Sequence, residues 1–353
     1  MSFSMPLSAM SPLMPSSPSA PLSDSDEYLH RPPPSGGALW SDNFWFSVCD
    51  RDADVFGINH IHASLSHGYL RASAFYVIDG MAVQWASRQP LEADPMFSVL
   101  GDGRLSYSVE KPFARYRWQL DAPRFGFDLT FDDRFGVFDY NHCLGGNPLG
   151  AYEGYGGHYE QALVCRGELE TRGGPRAGER RPVACWSHRD HSWTHRFERP
   201  GPWDVRHRRT QAESWGHFWP SVQLADRHLN SFGWMSPTQP LPDGTPAVGG
   251  WIGDAGGTRP LRSATCVPRL EEDQRTAMAF DMTFETTSGE VLTVRTGRKH
   301  AHTRNGLMRD ENDAEVRLDC HEPFFDFEVV ETGERGYGVV EYSIHPPWPR
   351  YRY

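Results

Sequence analysis

Nowhere in the 353 residues do eighteen consecutive apolar residues occur, which argues against a membrane-spanning helix. The first thirty residues hold no Lys or Arg and no apolar run long enough for a secretory leader, so a cytoplasmic location is the expectation. The six cysteines (Cys49, Cys143, Cys165, Cys185, Cys266, Cys320) form no Cys-x-x-Cys pair, which argues against a zinc knuckle or redox dithiol and leaves ordinary reduced thiols. Positive charge is also short: 35 Lys and Arg against 46 Asp and Glu give −11, a balance that repels nucleic acid and anionic lipid. Two Arg-rich stretches, around Arg172 to Arg181 and Arg206 to Arg209, sit among Gly, Pro or Glu and read as solvated loop faces. No Gly-x-Ser-x-Gly elbow is present, so nucleophilic hydrolysis has no support.

Helical periodicity of useful length is nearly absent too, and in its place period-2 alternation recurs from about residue 40. Leu70 to Ile78, the turn dipeptide Asp79-Gly80 and Met81 to Trp85 predict a hairpin. The same grammar marks Ser98 to Leu100, Leu105 to Val109, Tyr116 to Leu120, Phe125 to Phe131, Ser221 to Leu224, Leu229 to Trp234, Met278 to Phe284 and Val291 to Arg295. With 12 Trp, 13 Tyr and 20 Phe to bury and 34 Gly and 28 Pro as punctuation, the fold class is all-β, built as antiparallel barrels or sandwiches. The chain is long enough for two domains. The Ser/Pro/Met-rich start predicts a disordered tail over 1–35. The Gly/Pro/Arg stretch from Gly167 to Pro182 is the expected linker, dividing an N-terminal domain (36–175) from a C-terminal one (176–353).

Two segments beside that stretch carry chemistry. In Tyr155-Gly-Gly-His158-Tyr-Glu160-Gln161, His158 and Glu160 are two apart and share one face of a strand, as a proton-trading pair or as a buried polar pin between sheets. Trp186-Ser-His188-Arg189-Asp190-His191-Ser-Trp193-Thr-His195 packs one Arg, one Asp and three His into eight residues. On a regular strand Asp190 falls opposite Arg189, His191 and Trp193, so a single site using all of them requires a bend or bulge. An Arg189–Asp190 ion pair bracing the domains is the structural alternative.

The elements His158-Tyr-Glu160-Gln161, Arg189-Asp190-His191-Ser192-Trp193 and Gly336-Tyr-Gly-Val-Val-Glu341-Tyr342 resemble the superfamily of bacterial carotenoid 1,2-hydratases (hydroxyneurosporene synthases) and their lipocalin-like relatives. The resemblance runs from about Trp40 and is closest to uncharacterised bacterial members. It implies two lipocalin-like domains and acid-assisted addition of water to, or rearrangement of, a hydrophobic terpenoid, steroid or polyketide-like molecule. The family's His-x-Trp pair falls on His191 and Trp193, followed here by Thr194 where the carotenoid enzymes have Gly. Asp226 lies in the region of the family's second acid, although a turn explains it equally.

Protonating an alkene needs a water-shielded acid, and the resulting cation needs aromatic faces. Asp190 with His191 is therefore the expected proton donor and acceptor, Arg189 the charge that orients Asp190, and His158 with Glu160 a second polar pair. Trp193, Trp186, Tyr155, Trp219 and Trp215 are the expected substrate walls. The expectation is a lyase or isomerase (hydratase, dehydratase or cyclase) with no cofactor and no bound metal. Exposed strand edges make a homodimer an option. One alternative is a non-catalytic carrier of an apolar molecule. Another is a metal-dependent β-barrel enzyme using His60-x-His62 or His300-x-His302, against which stands the lack of a closely following carboxylate.

Overall fold

The computed structural model describes residues 21–32, 40–65, 67–91, 99–144, 156–174, 176–195, 216–235, 245–246, 249–273, 276–305, 308–309, 315–316 and 320–344. Among these, helix is limited to two 3-10 turns, Asp24–Glu27 and Tyr140–His142. The first ten strands are β1 (Trp40–Asp50), β2 (Val55–Ser64), β3 (Tyr69–Ile78), β4 (Met81–Pro90), β5 (Val99–Gly101), β6 (Leu105–Lys111), β7 (Arg115–Asp121), β8 (Phe125–Asp139), β9 (Gly157–Thr171) and β10 (Arg180–His195). The remainder are β11 (Gly216–Gln223), β12 (Arg227–Met235), β13 (Thr245–Pro246), β14 (Gly249–Asp254), β15 (Gly257–Leu270), β16 (Ala277–Thr286), β17 (Val291–Asn305), β18 (Met308–Arg309), β19 (Glu315–Val316), β20 (Cys320–Val329) and β21 (Arg335–Ile344). The all-β expectation is met, and every strand predicted from alternation overlaps one of these elements, with Ser98 outside the described residues and Leu224 just past the end of β11. At the predicted hairpin, Asp79 (φ 51°) and Gly80 (φ 71°) both take positive φ, the two-residue turn whose twist matches the flanking strands.

β1 to β10 form one antiparallel sheet in the order β4-β3-β2-β1-β10-β9-β8-β7-β6-β5. The sheet curls until its edges meet through side chains: from β4, Trp85 and Ser87 donate to the Asp102 carboxylate and Gln89 to the Gly101 carbonyl. Inside the curl Phe46 lies 5.1 to 5.6 Å from the rings of Tyr107, Tyr116, Trp118 and Phe131. Each such pair contributes about 1 kcal/mol beyond the burial itself. The second sheet closes on itself, because β15 bonds to β14 along its first residues and to β16 along the rest, around a core of Phe218, Phe280, Phe325 and Tyr342.

Gly167 to Pro182 is not the linker. It is the end of a hairpin, with Arg180 paired to Glu170 across β9 and β10. Its arginines are held by carboxylates, Arg172 by Asp121 and both Arg176 and Arg181 by Asp79. Clustered Gly and charge mark a chain reversal, and composition does not distinguish a reversal within a sheet from a passage between sheets. The passage comes between His195 and Gly216. The segment expected as a tail is in part seated in the first domain: Glu27 and Leu29 are buried. No helix among the described residues is long and apolar enough to cross a membrane.

Candidate active site

The candidate segment Arg189 to Trp193 lies on β10 without the expected bend. Its register is unbroken against β9 from Arg180 to Trp193 and against β1 from Arg189 to His195. Strict alternation therefore sorts the candidate residues onto two faces. His158, Glu160, His188 and Asp190 look toward the second domain. Tyr159, Gln161, Arg189, His191 and Trp193 look into the first.

The outward face builds a buried seam between the sheets. Glu160 Oε1 is 3.0 Å from His158 Nε2, and Oε2 is 3.0 Å from His188 Nε2. Trp251 Nε1, from β14, donates to Oε2 at 2.7 Å, so one carboxylate joins both domains. Burial alone would raise the Glu160 pKa, but His188 and His158 outweigh it and hold it at about 2. Asp190 is the cross-strand partner of Glu160. Tyr140 and Trp219 cover the His158 ring at 4.3 and 4.9 Å. Among the described residues, buried imidazole atoms here lack hydrogen-bond partners: His158 Nδ1, His188 Nδ1 and both nitrogens of His228. Burial, followed by repulsion from His188, keeps His228 neutral.

Sequence reading missed the opposite acid of this seam. Trp45, whose ring edge meets His188 at 5.9 Å, donates from Nε1 to Glu322 Oε1 at 3.1 Å, and Thr303 donates to Oε2 at 3.0 Å. Burial, then the charge of Glu341, pushes the Glu322 carboxyl up to about 8. The available signal was a Cys-His-Glu-Pro run directly before the apolar Phe324-Phe325 of β20.

The inward face is a connected network. Arg189 is fully buried and bonds Glu27, Gln161 and Tyr159, so it does not orient Asp190. His191 is not paired with Asp190 either: its Nδ1 meets Tyr159 Oη at 2.9 Å and its Nε2 meets Asp42 Oδ1 at 3.2 Å. Burial, against the pull of Asp42, lowers the His191 pKa to about 4. Trp193 stacks on His30 at 3.6 Å and 7°, so that ring face is already occupied. Beside it a cavity of ≈ 330 Å³ is bordered by Asp26, Asp139, Asn141 and Trp193. Glu27, His30 and Asp42 were missed because two of them lie in the stretch read as a tail.

This packing yields a prediction. A Cβ at Gly157 would lie 2.1 Å from the Trp193 ring. Gly157→Ala should displace that ring and lower stability by about 1–3 kcal/mol, measured by urea unfolding. An unchanged midpoint would mean that the Trp193–His30 stack contributes nothing.

Other candidates are placed as follows. Trp186 stacks on Tyr337 at 5.2 Å at the far end of the seam. Asp226 is exposed in the turn between β11 and β12. His60 and His62 share Asn43, while His300 pairs with Asp326 and His302 with His321. Tyr155 and Trp215 lie outside the described residues.

Solved structures share this architecture. Kievitone hydratase from Nectria haematococca matches at 14% identity and TM-score 0.52, over 86% of this chain and 88% of that one. CghA with Sch210972, and CghA in a second structure, each match at 11% identity and TM-score 0.55, over 87% of this chain and 89% of theirs. The likeness is one of fold, two lipocalin-like antiparallel β domains, and the matched structures are kievitone hydratase and CghA rather than the carotenoid hydratases expected from the sequence. Among curated proteins none matches the sequence. A family model described as "Domain of unknown function (DUF7064)" covers residues 23–346, and the chain belongs to that family.

Proposed function

We propose that this protein is a lyase or isomerase that performs acid–base chemistry on a hydrophobic terpenoid, steroid or polyketide-like molecule at the seam between its domains. The observation that carries the reading is the buried Glu160, held ionised between His158 and His188, with unpartnered imidazole nitrogens around it. Buried polar atoms left unpaired are costly, and a bound substrate that pairs with them recovers that cost. Glu322 supplies the opposite protonation state across Trp45, and two carboxyls pushed apart in pKa divide naturally into acid and base. In the hydration direction Glu322 gives its proton to the alkene, Trp45, Trp219 and Trp251 face the cation, and water adds as its proton passes to the Glu160–histidine cluster. Asp190, the cross-strand partner of Glu160, lies on the same face of the sheet. Kievitone hydratase, which shares the fold, is named for a reaction of this class. Arg189 and His191 act from the opposite face, by holding β10 in place.

The test is turnover of a panel of such substrates, with gain or loss of water followed by mass spectrometry. Wild type should convert at least one. Glu160→Gln should lower kcat by about a hundredfold or more, with Asp190→Asn also impaired. Tight binding without conversion across the panel would instead establish a carrier.

A further inference from the structure

On the inward face His30 Nδ1, Asp42 Oδ1 and His191 Nε2 converge, all within 4.8 Å of one another. His30 comes from the N-terminal segment, Asp42 from β1 and His191 from β10. The hydrogens available to this cluster do not suffice for its contacts. Three contacts in series each need one: Tyr159 Oη to Glu27 Oε2 at 2.9 Å, Tyr159 Oη to His191 Nδ1 at 2.9 Å, and His191 Nε2 to Asp42 Oδ1 at 3.2 Å. A tyrosine brings one hydrogen and a neutral imidazole one. Arg189 Nη2 donates to Tyr159 Oη, and when the tyrosine gives its own hydrogen to the Glu27 carboxylate its remaining lone pair accepts from His191 Nδ1. That leaves the bare Nε2 of His191 facing the carboxylate oxygen of Asp42. Two acceptors opposed in a dry site repel unless a cation lies between them. His30 Nδ1 reaches the same Asp42 oxygen at 2.8 Å, so two imidazole nitrogens and one carboxylate oxygen meet at one point.

We propose that His30, Asp42 and His191 bind one divalent transition metal ion, zinc or iron(II). Two imidazole nitrogens with one carboxylate suit these ions, whereas calcium and magnesium take oxygen ligands. The outer ring nitrogens support the assignment. His191 Nδ1 is held by Tyr159, and His30 Nε2 faces Asp26 Oδ1 at 3.4 Å, the outer support that ligating histidines commonly have. The ion fastens the N-terminal segment to β1 and β10, and the cavity beside Asp26 and Trp193 gives it a route in from solvent. The site is independent of the seam, which lies across the sheet.

Metal analysis of protein prepared without a polyhistidine tag should find close to one equivalent of zinc or iron per chain. Stripping it with a chelator should lower the thermal midpoint by about 5 °C or more. Cobalt(II) added to stripped protein should produce visible d–d bands that are lost in His191→Asn and retained in Glu160→Gln. His30, with 15% of its side chain exposed, gives a milder second variant, His30→Gln, should the first fail to fold. Stripped wild type that takes up neither zinc nor cobalt at micromolar concentration overturns the proposal. So do unchanged cobalt bands in either folded variant.

Discussion

Arg189→Ala should lower stability by about 3–5 kcal/mol, the usual cost of removing one partner of a buried ion pair. The guanidinium bonds both Glu27 oxygens, at 3.0 and 2.9 Å, and both side chains are 0% exposed. Its planar group also lies 4.2 Å from the centroid of the Tyr116 ring. Without it Glu27 remains in the core, where burial drives its pKa up against the hydrogen bonds from Tyr116, Tyr159 and the Phe113 backbone and the charge of His191. In wild type burial raises the Glu27 pKa, and the Arg189 charge, joined by the Tyr116 and Tyr159 hydrogen bonds and the charge of His191, outweighs it and leaves the pKa depressed. The stability from that pair is therefore present above the ordinary carboxyl range and disappears as pH falls through the depressed value. Arg189→Ala reverses the sign: Glu27 then titrates high, and the variant should be relatively least stable near neutrality and recover toward acid pH. Urea unfolding at pH 5 and pH 8 measures this, and Arg189→Met with Glu27→Met should recover much of the loss. A single variant within 1 kcal/mol of wild type at both pH values would show that the pair does not hold the N-terminal segment in place.

The same pair shows where sequence reading stops. The strands were legible because alternation is a local signal, and Asp79-Gly80 specified its turn for the same reason. The density of His, Arg and Asp on β10 was legible as well, and so was the constraint that separates Asp190 from His191. The assignment of partners was not. Arg189 and Glu27 are 162 residues apart, and Glu27 sits in a short acidic turn that follows a Ser/Pro-rich stretch. Glu322 was hidden for a related reason. Its altered acidity arises from burial beneath Trp45 and the nearness of Glu341, neither of which leaves a mark in a local window. Gly167 to Pro182 misled because turn chemistry is identical whether the next strand returns to the same sheet or starts another.

Glu322→Gln should reduce turnover by about 10²–10⁴-fold, the contribution of a positioned general acid. Gln preserves the size, its amide oxygen accepts from Trp45 and its amide nitrogen donates to the Thr303 hydroxyl, but it has no acidic proton. Wild-type kcat/KM should hold across neutral pH and fall as pH rises through about 8, where the carboxyl loses its proton. The acid limb lies far lower, because Glu160 stays ionised down to about 2. Stability reports the same group without any substrate. A carboxyl whose folded pKa is raised binds its proton more tightly folded than unfolded, so its contribution is complete below the ordinary value of 4.5 and is lost as pH rises to about 8. Across that interval the wild type should lose up to about 1.4 kcal/mol per pH unit from this residue, and Glu322→Gln should lack that component. The two readouts separate role from position. A variant that flattens the stability profile and retains full activity would leave Glu322 a buried neutral acid with no part in the chemistry. One that loses activity while its folded state keeps the wild-type pH slope would place the raised pKa on a different group of the seam.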